Sequence, residues 1–216
     1  MVQTNKTRLF EIIAVLITAA GRFLFIDYLN WRLPYISIAI ILWAGYVAYR
    51  SRTTTGILHH WGFRKDNFKK AVRLILPFGL LAVSAFVAIG WYRRTLNITW
   101  HFIPVLLLYP LWGVVQQFLV ITLMAGNLQD MQLPGLHKAG AIVLSAILFG
   151  LIHYPSPWLM SGTFLLALFY GWVYLKERNV YALGIFHGWL GALFFYTVVG
   201  RDPFIEVFGR LLGLSN

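Results

Sequence analysis

Two adjacent glutamines and two separated histidines are the residues of this chain whose types and surroundings could do chemistry. Gln116 and Gln117 sit inside the apolar run from Tyr109 to Met124, YPLWGVVQQFLVITLM; His153 ends the stretch AILFGLIH, and His187 lies within YALGIFHGWLGALFF. An imidazole can take a proton from water, and an amide can orient that water or donate to a developing oxyanion. In hydrocarbon each unsatisfied polar group costs several kcal/mol, so such groups need partners. Counted along helices, Gln117 lies ~12 Å and His187 ~10 Å from the same membrane surface, with His153 ~20 Å deep. These groups are expected to converge on one site.

Composition sets the frame that must position them. Of 216 residues, 59% are hydrophobic and only 12% are charged, far more apolar than one soluble core needs. The expectation is an all-α, polytopic transmembrane helical bundle of about seven spans. They run from Leu9 to Leu29, Tyr35 to Tyr49, Leu74 to Tyr92, His101 to Ala125, Ala139 to Tyr154, Trp158 to Leu175 and Val180 to Val199. The chain divides into N-terminal helices with a basic segment (1–99), a core (100–199) and a short tail (200–216). Glu11, Arg22 and Asp27 interrupt the first span. Glu11 and Asp27 lie near its ends, and Arg22 can snorkel or pair with a carboxylate, so a structural role is expected for all three.

The formal net charge is +11. The basic residues lie between apolar runs instead of forming one stripe, which argues for contacts to membrane lipids and against nucleic acid. The densest group, Arg50 to Arg73, marks a cytoplasmic loop, and Lys6 and Arg8 agree, so the N-terminus is expected to be cytoplasmic in an integral, multi-pass protein of a prokaryotic cytoplasmic membrane. Within that loop, Trp61, Phe63, Phe68 and Val72 alternate with basic residues, the pattern of an interfacial amphipathic helix. Cysteine is absent. His59 and His60 are adjacent, so their side chains diverge on a helix, and no carboxylate stands at ligand spacing. His153 and His187 supply only two metal ligands where catalytic zinc usually takes three, so neither metal nor cofactor is expected.

Small residues favour close approach around His187. Gly184, Gly188 and Gly191 form a stripe on its helix, and Phe149 and His153 share a face at i and i+4. In order and context these stretches resemble the CAAX prenyl endopeptidase and bacteriocin-immunity family of intramembrane proteases (CPBP, also ABI), over residues 100 to 195. That family carries Glu-Glu-x-x-x-Arg, then Phe-x-x-x-His, then His-x-x-x-Asn. Here the second motif is complete as Phe149 and His153, and the third keeps His187 but has Gly191 at the Asn position. The first has Gln116 and Gln117 at the Glu positions and Ile121 at the Arg position. The resemblance implies an endopeptidase acting on a membrane-anchored or prenylated peptide, with Gln116, Gln117, His153 and His187 as its catalytic positions. The alternative is a pseudoprotease that binds a membrane peptide or lipid without cutting it. An amide cannot take a proton at neutral pH, and an arginine without its carboxylate would be an uncompensated buried charge, so the charged cluster is neutralised as a unit.

Overall fold

Long apolar runs punctuated by glycine, proline and charge yield helices throughout the described residues. The computed structural model describes residues 3–213. Its helices are α1 (Asn5–Tyr28), α2 (Arg32–Thr53), α3 (Ile57–His60), α4 (Phe68–Arg93), α5 (Phe102–Asp130), α6 (Lys138–Leu151), α7 (Pro157–Glu177), α8 (Val180–Val199) and α9 (Pro203–Leu212). Six of these are long and apolar enough to cross a membrane. Leu80, Leu81, Ile41, Leu42, Leu107 and Leu111 are exposed on them, a surface suited to lipid and not to water. The chain is an integral membrane protein.

The fifth expected span, Ala139 to Tyr154, differs from its expectation. Helix α6 has 14 residues, which rise ~21 Å where the hydrocarbon core is ~30 Å thick. Residues Ile152 to Pro155 then turn, and Pro157 opens α7 at its first position, where a missing N–H costs nothing. His153 therefore sits on a turn and not on a continuing helix. Three helices also widen into π segments, at Phe23–Tyr28, Phe118–Gly126 and Phe195–Val199.

Two contacts set the relative placement of the core helices. Helices α5 and α8 meet backbone to backbone, because Gly113, Gly184 and Gly188 carry no side chain. A Cβ at Gly113 would stand 2.2 Å from the Gly184 carbonyl oxygen, one at Gly184 2.4 Å from Val114 Cα, and one at Gly188 2.4 Å from Pro110 N. The second contact anchors the start of α8. Asn179 caps it by accepting from Ala182 N–H at 2.9 Å, while its Nδ2 donates to the Arg64 carbonyl at 2.9 Å and to Asn67 Oδ1 at 2.7 Å. Gly62, at φ +86°, lies against the Arg178 backbone, and its carbonyl accepts from Val180 N–H at 2.9 Å. The basic segment is thereby tied to the α7–α8 turn.

A hydrophobic core lies where α4, α5, α6, α7 and α8 converge, with Ile75, Ile121, Phe149, Tyr170 and Leu183 fully buried. Near the N-terminal face a polar cluster replaces it. The buried Glu11 carboxylate accepts from Gln3 Nε2 (2.6 Å), Tyr46 hydroxyl (2.5 Å), Arg50 Nη1 (3.1 Å) and Asn127 Nδ2 (2.6 Å). Helices α1, α2 and α5 are held together by this one side chain. The structural role expected of Glu11 takes the form of a buried hub. Arg22 does pair with Asp27, at 3.4 Å.

Candidate active site

The close approach of α5 and α8 delivers an amide to an imidazole. His187 Nε2–H donates to Gln116 Oε1 at 2.8 Å, which leaves Nδ1 as the basic nitrogen of His187. That Nδ1 is buried and has no partner among the described residues. His153 has the opposite arrangement. Its Nδ1–H donates to the Phe149 carbonyl at 2.8 Å, with Thr163 Oγ1 also within 3.3 Å. Thr163 is itself oriented by donating to the Leu159 carbonyl at 2.7 Å. The carbonyl four residues back is free because α6 ends at Leu151. His153 thus keeps the lone pair of Nε2 for other use.

The Phe149 ring lies between the two imidazoles, with centroids 5.1 Å from His153 and 5.5 Å from His187. Gln116, His153, His187 and Thr163 all line one cavity of about 610 Å³, within the usual size of small-molecule sites. Gly191 lines it too, and a Cβ there would meet only Tyr109 Cδ1 at 3.9 Å.

Gln117 stands apart from this group. It is fully buried, neither its amide nitrogen nor its amide oxygen has a partner among the described residues, and it does not line the cavity. Successive residues on a helix point ~100° apart, so only one of two adjacent glutamines can face a given space. Ile121 is likewise outside the cavity, in the main core. His59 and His60 go to different carboxylates, Asp66 at 4.0 Å and Asp130 at 3.2 Å. Among the described residues no three histidine, aspartate or glutamate side chains are grouped to hold a metal ion.

The stretch that contains all four sequence-selected positions also matches a family model, described as type II CAAX prenyl endopeptidase Rce1-like, over residues 97–193. Residues 97–193 form an Rce1-like domain. This agrees with the CPBP resemblance of the sequence. Comparison with curated proteins and with solved structures finds no match.

The Rce1-like domain holds α5 to α7 and most of α8, yet it does not complete the cavity alone. Helix α1 contributes Arg22 and Asp27, α2 contributes Arg32, α4 contributes Phe78 and Phe86, and the α8–α9 connection contributes Arg201. Sequence reading missed these wall residues, although the pairing of Arg22 and Asp27 inside one apolar run was a signal. It also missed Thr163, whose only mark in the sequence is a hydroxyl in an apolar helix.

Below the domain, Asp202 pins the following helix. It accepts from His101 Nδ1 and Tyr196 hydroxyl at 2.7 Å and from Thr99 hydroxyl at 2.8 Å, and it caps α9 through Phe204 N–H at 3.0 Å. Burial pushes its carboxyl up, but the hydrogen bonds from His101, Tyr196 and Thr99 outweigh burial and hold it below the ordinary aspartate value.

Proposed function

We propose that this protein is a CAAX-type intramembrane endopeptidase acting on a membrane-embedded or lipidated polypeptide. The observation that carries the reading is the tautomer arrangement of His153 within the cavity: with Nδ1–H committed to the Phe149 carbonyl, Nε2 is the proton acceptor available there. In this reaction His153 Nε2 removes a proton from water, and the resulting hydroxide oxygen bonds to the peptide carbonyl carbon. Negative charge develops on the carbonyl oxygen and is met by the Gln116 amide N–H. Collapse of that intermediate breaks the C–N bond, and the imidazolium returns its proton to the leaving amine. His187 positions Gln116 by donating to its oxygen.

A second reading rests on what the cavity lacks. Among the described residues no carboxylate hydrogen-bonds to His153 or His187, although Asp27 and Glu206 line the cavity, and Gly191 offers no side chain where the family motif has Asn. On that basis the cavity is a pseudoprotease site that binds a membrane peptide or lipid without cutting it. Purified protein incubated with a membrane-anchored or prenylated peptide library separates the two. The endopeptidase reading expects cleavage that His153→Ala abolishes while helical content is retained. Peptide binding without turnover, surviving His153→Ala, establishes the pseudoprotease. Turnover persisting in both His153→Ala and His187→Ala removes the site from either reading.

The reading includes an orientation, with the N-terminus on the cytoplasmic side of a prokaryotic cytoplasmic membrane. It is supported by the basic residues between Arg50 and Arg73 and by Lys6 and Arg8, since the Glu11–Arg50 ion pair brings the start of α1 to the end of α2. Cysteines introduced at Ser51 and Tyr92, both exposed, then label from opposite sides, and labelling of both from one side overturns it.

A further inference from the structure

The mouth of the cavity carries charge that peptide-bond chemistry at His153 does not use. Arg22 and Asp27 of α1, Arg32 at the start of α2, Arg201 before α9 and Glu206 within it all line the cavity. Arg22 Nη1 lies 3.4 Å from Asp27 Oδ2, Arg32 Nη1 3.7 Å from Glu206 Oε2, and Arg201 Nε 2.5 Å from Glu206 Oε1. Three guanidiniums therefore face two carboxylates. Arg32 and Arg201 are 39% and 48% exposed. Arg201 reaches Glu206 through Nε and Arg32 through Nη1, so terminal N–H groups of both forks remain for a ligand. Such forks match the oxygens of a phosphate.

Apart from Gln116, His153, Thr163 and His187, much of the cavity wall is hydrocarbon, with Ile26, Ile36, Phe78, Phe86, Leu166 and Phe194 on five different helices. Helical walls satisfy their own backbone groups and offer few partners to a guest backbone. A peptide brings a donor and an acceptor with every residue, whereas an acyl chain brings none. From the charge at the mouth and the apolar wall behind it, we infer that the cavity binds an anionic phospholipid, its phosphate headgroup held by Arg22, Arg32 and Arg201 and an acyl chain running inward toward Trp112. This occupancy goes beyond peptide cleavage and does not depend on it.

The probe is phosphatidylglycerol brominated in its acyl chains, added to the purified full-length protein in neutral detergent. The reading is the quenching lost in Trp112→Phe, since Trp112 lines the cavity. Brominated phosphatidylglycerol quenches Trp112, and brominated phosphatidylcholine, with its compensating cation, does so about tenfold more weakly. Arg32→Gln with Arg201→Gln weakens the effect roughly thirtyfold, and Glu206→Gln strengthens it roughly fivefold. That gain cannot come from damaged folding. Lys65→Gln with Lys69→Gln, both exposed and neither lining the cavity, leaves it unchanged. Equal quenching by the two lipids, or no gain in Glu206→Gln, overturns the proposal. Displacement by inorganic phosphate at the lipid's own concentration assigns the ring to free anions. Displacement by a peptide with a free C-terminal carboxylate, but not by its amide, assigns it to a peptide end. Either result also overturns it. Peptidase activity, present or absent, enters none of these outcomes.

Discussion

Glu11 and Gln116 are both polar side chains on apolar helices, and they are treated in opposite ways. The Glu11 carboxylate accepts four hydrogen bonds from Gln3, Tyr46, Arg50 and Asn127, three of them at Oε1, so its charge is compensated and most of its accepting capacity is used. Gln116 makes one bond, to His187, and faces a cavity. Around it the His187 Nδ1 has no partner among the described residues, and the His153 Nε2 is left free by the anchoring of Nδ1. Near-saturation makes the first region a clamp. Spare hydrogen-bonding capacity, kept neutral so that the low dielectric penalises it least, makes the second a place where a guest can react or bind.

The comparison breaks most visibly at the clamp. Glu11→Leu leaves Arg50 buried without its carboxylate and should destabilise the protein by ~3–5 kcal/mol, seen as a lowered unfolding midpoint in detergent. Adding Arg50→Met should recover much of that loss. An additive double variant would show that the two side chains do not act as a pair.

Next in size is the transfer of a carboxylate to the other region. Gln116→Glu with Gly191→Asn should raise turnover of a membrane-anchored peptide about a hundredfold over wild type, because a base then stands beside His187 and Gly191 has room for a side chain. Gln117 needs no change, since it does not line the cavity. Ile121→Arg would instead place a charge in the main core. A folded double variant with unchanged turnover would show that the missing carboxylate is not what limits the site.

A smaller effect is expected where the two helices are pressed together. Gly184→Ala should cost ~1–3 kcal/mol, because its Cβ meets Val114 backbone atoms at 2.4 Å, and any turnover should fall with it as Gln116 withdraws from His187. Retained stability would mean that α5 and α8 separate without strain.

The smallest effect sharpens the contrast through pH. Asp202, outside the spans, has its carboxyl held below the ordinary aspartate value of 3.8. A depressed carboxylate contributes stability that is complete above that value and is lost as pH falls through the lower folded one. The stability difference between wild type and Asp202→Asn should thus be constant near neutrality and shrink below about pH 4. A difference that grows in acid would reverse the sign and show that Asp202 is not held as an anion.

Much of this arrangement was legible in the amino-acid order. Apolar runs located the spans because lipid demands length and composition together. The polar residues within them marked Gln116, His153 and His187 as neighbours, and the glycine spacing marked a close backbone approach to α8 without naming its partner. Other features depended on distant pairings. Glu11 meets Arg50 and Asn127 across 39 and 116 residues, and nothing local distinguishes a nearly saturated carboxylate from one at a span end. The separation of Gln117 from Gln116 is a matter of helix rotation, which a row of letters conceals. The early end of α6 was also hidden, because Ile152 to Tyr154 continues the apolar run although the backbone has begun to turn.

The absence of side chains between α5 and α8 also determines how the cavity can yield. Contact through Gly113, Gly184 and Gly188 has no rotamers to rearrange, so that wall is stiff and moves only as a unit. Across from it, α4 meets α7 through the stacked rings of Phe78 and Phe169, with centroids 4.2 Å apart, and aromatic side chains can swing. Mechanical compliance is therefore one-sided: a bulky occupant deforms the aromatic wall and leaves the register of Gln116 against His187 untouched.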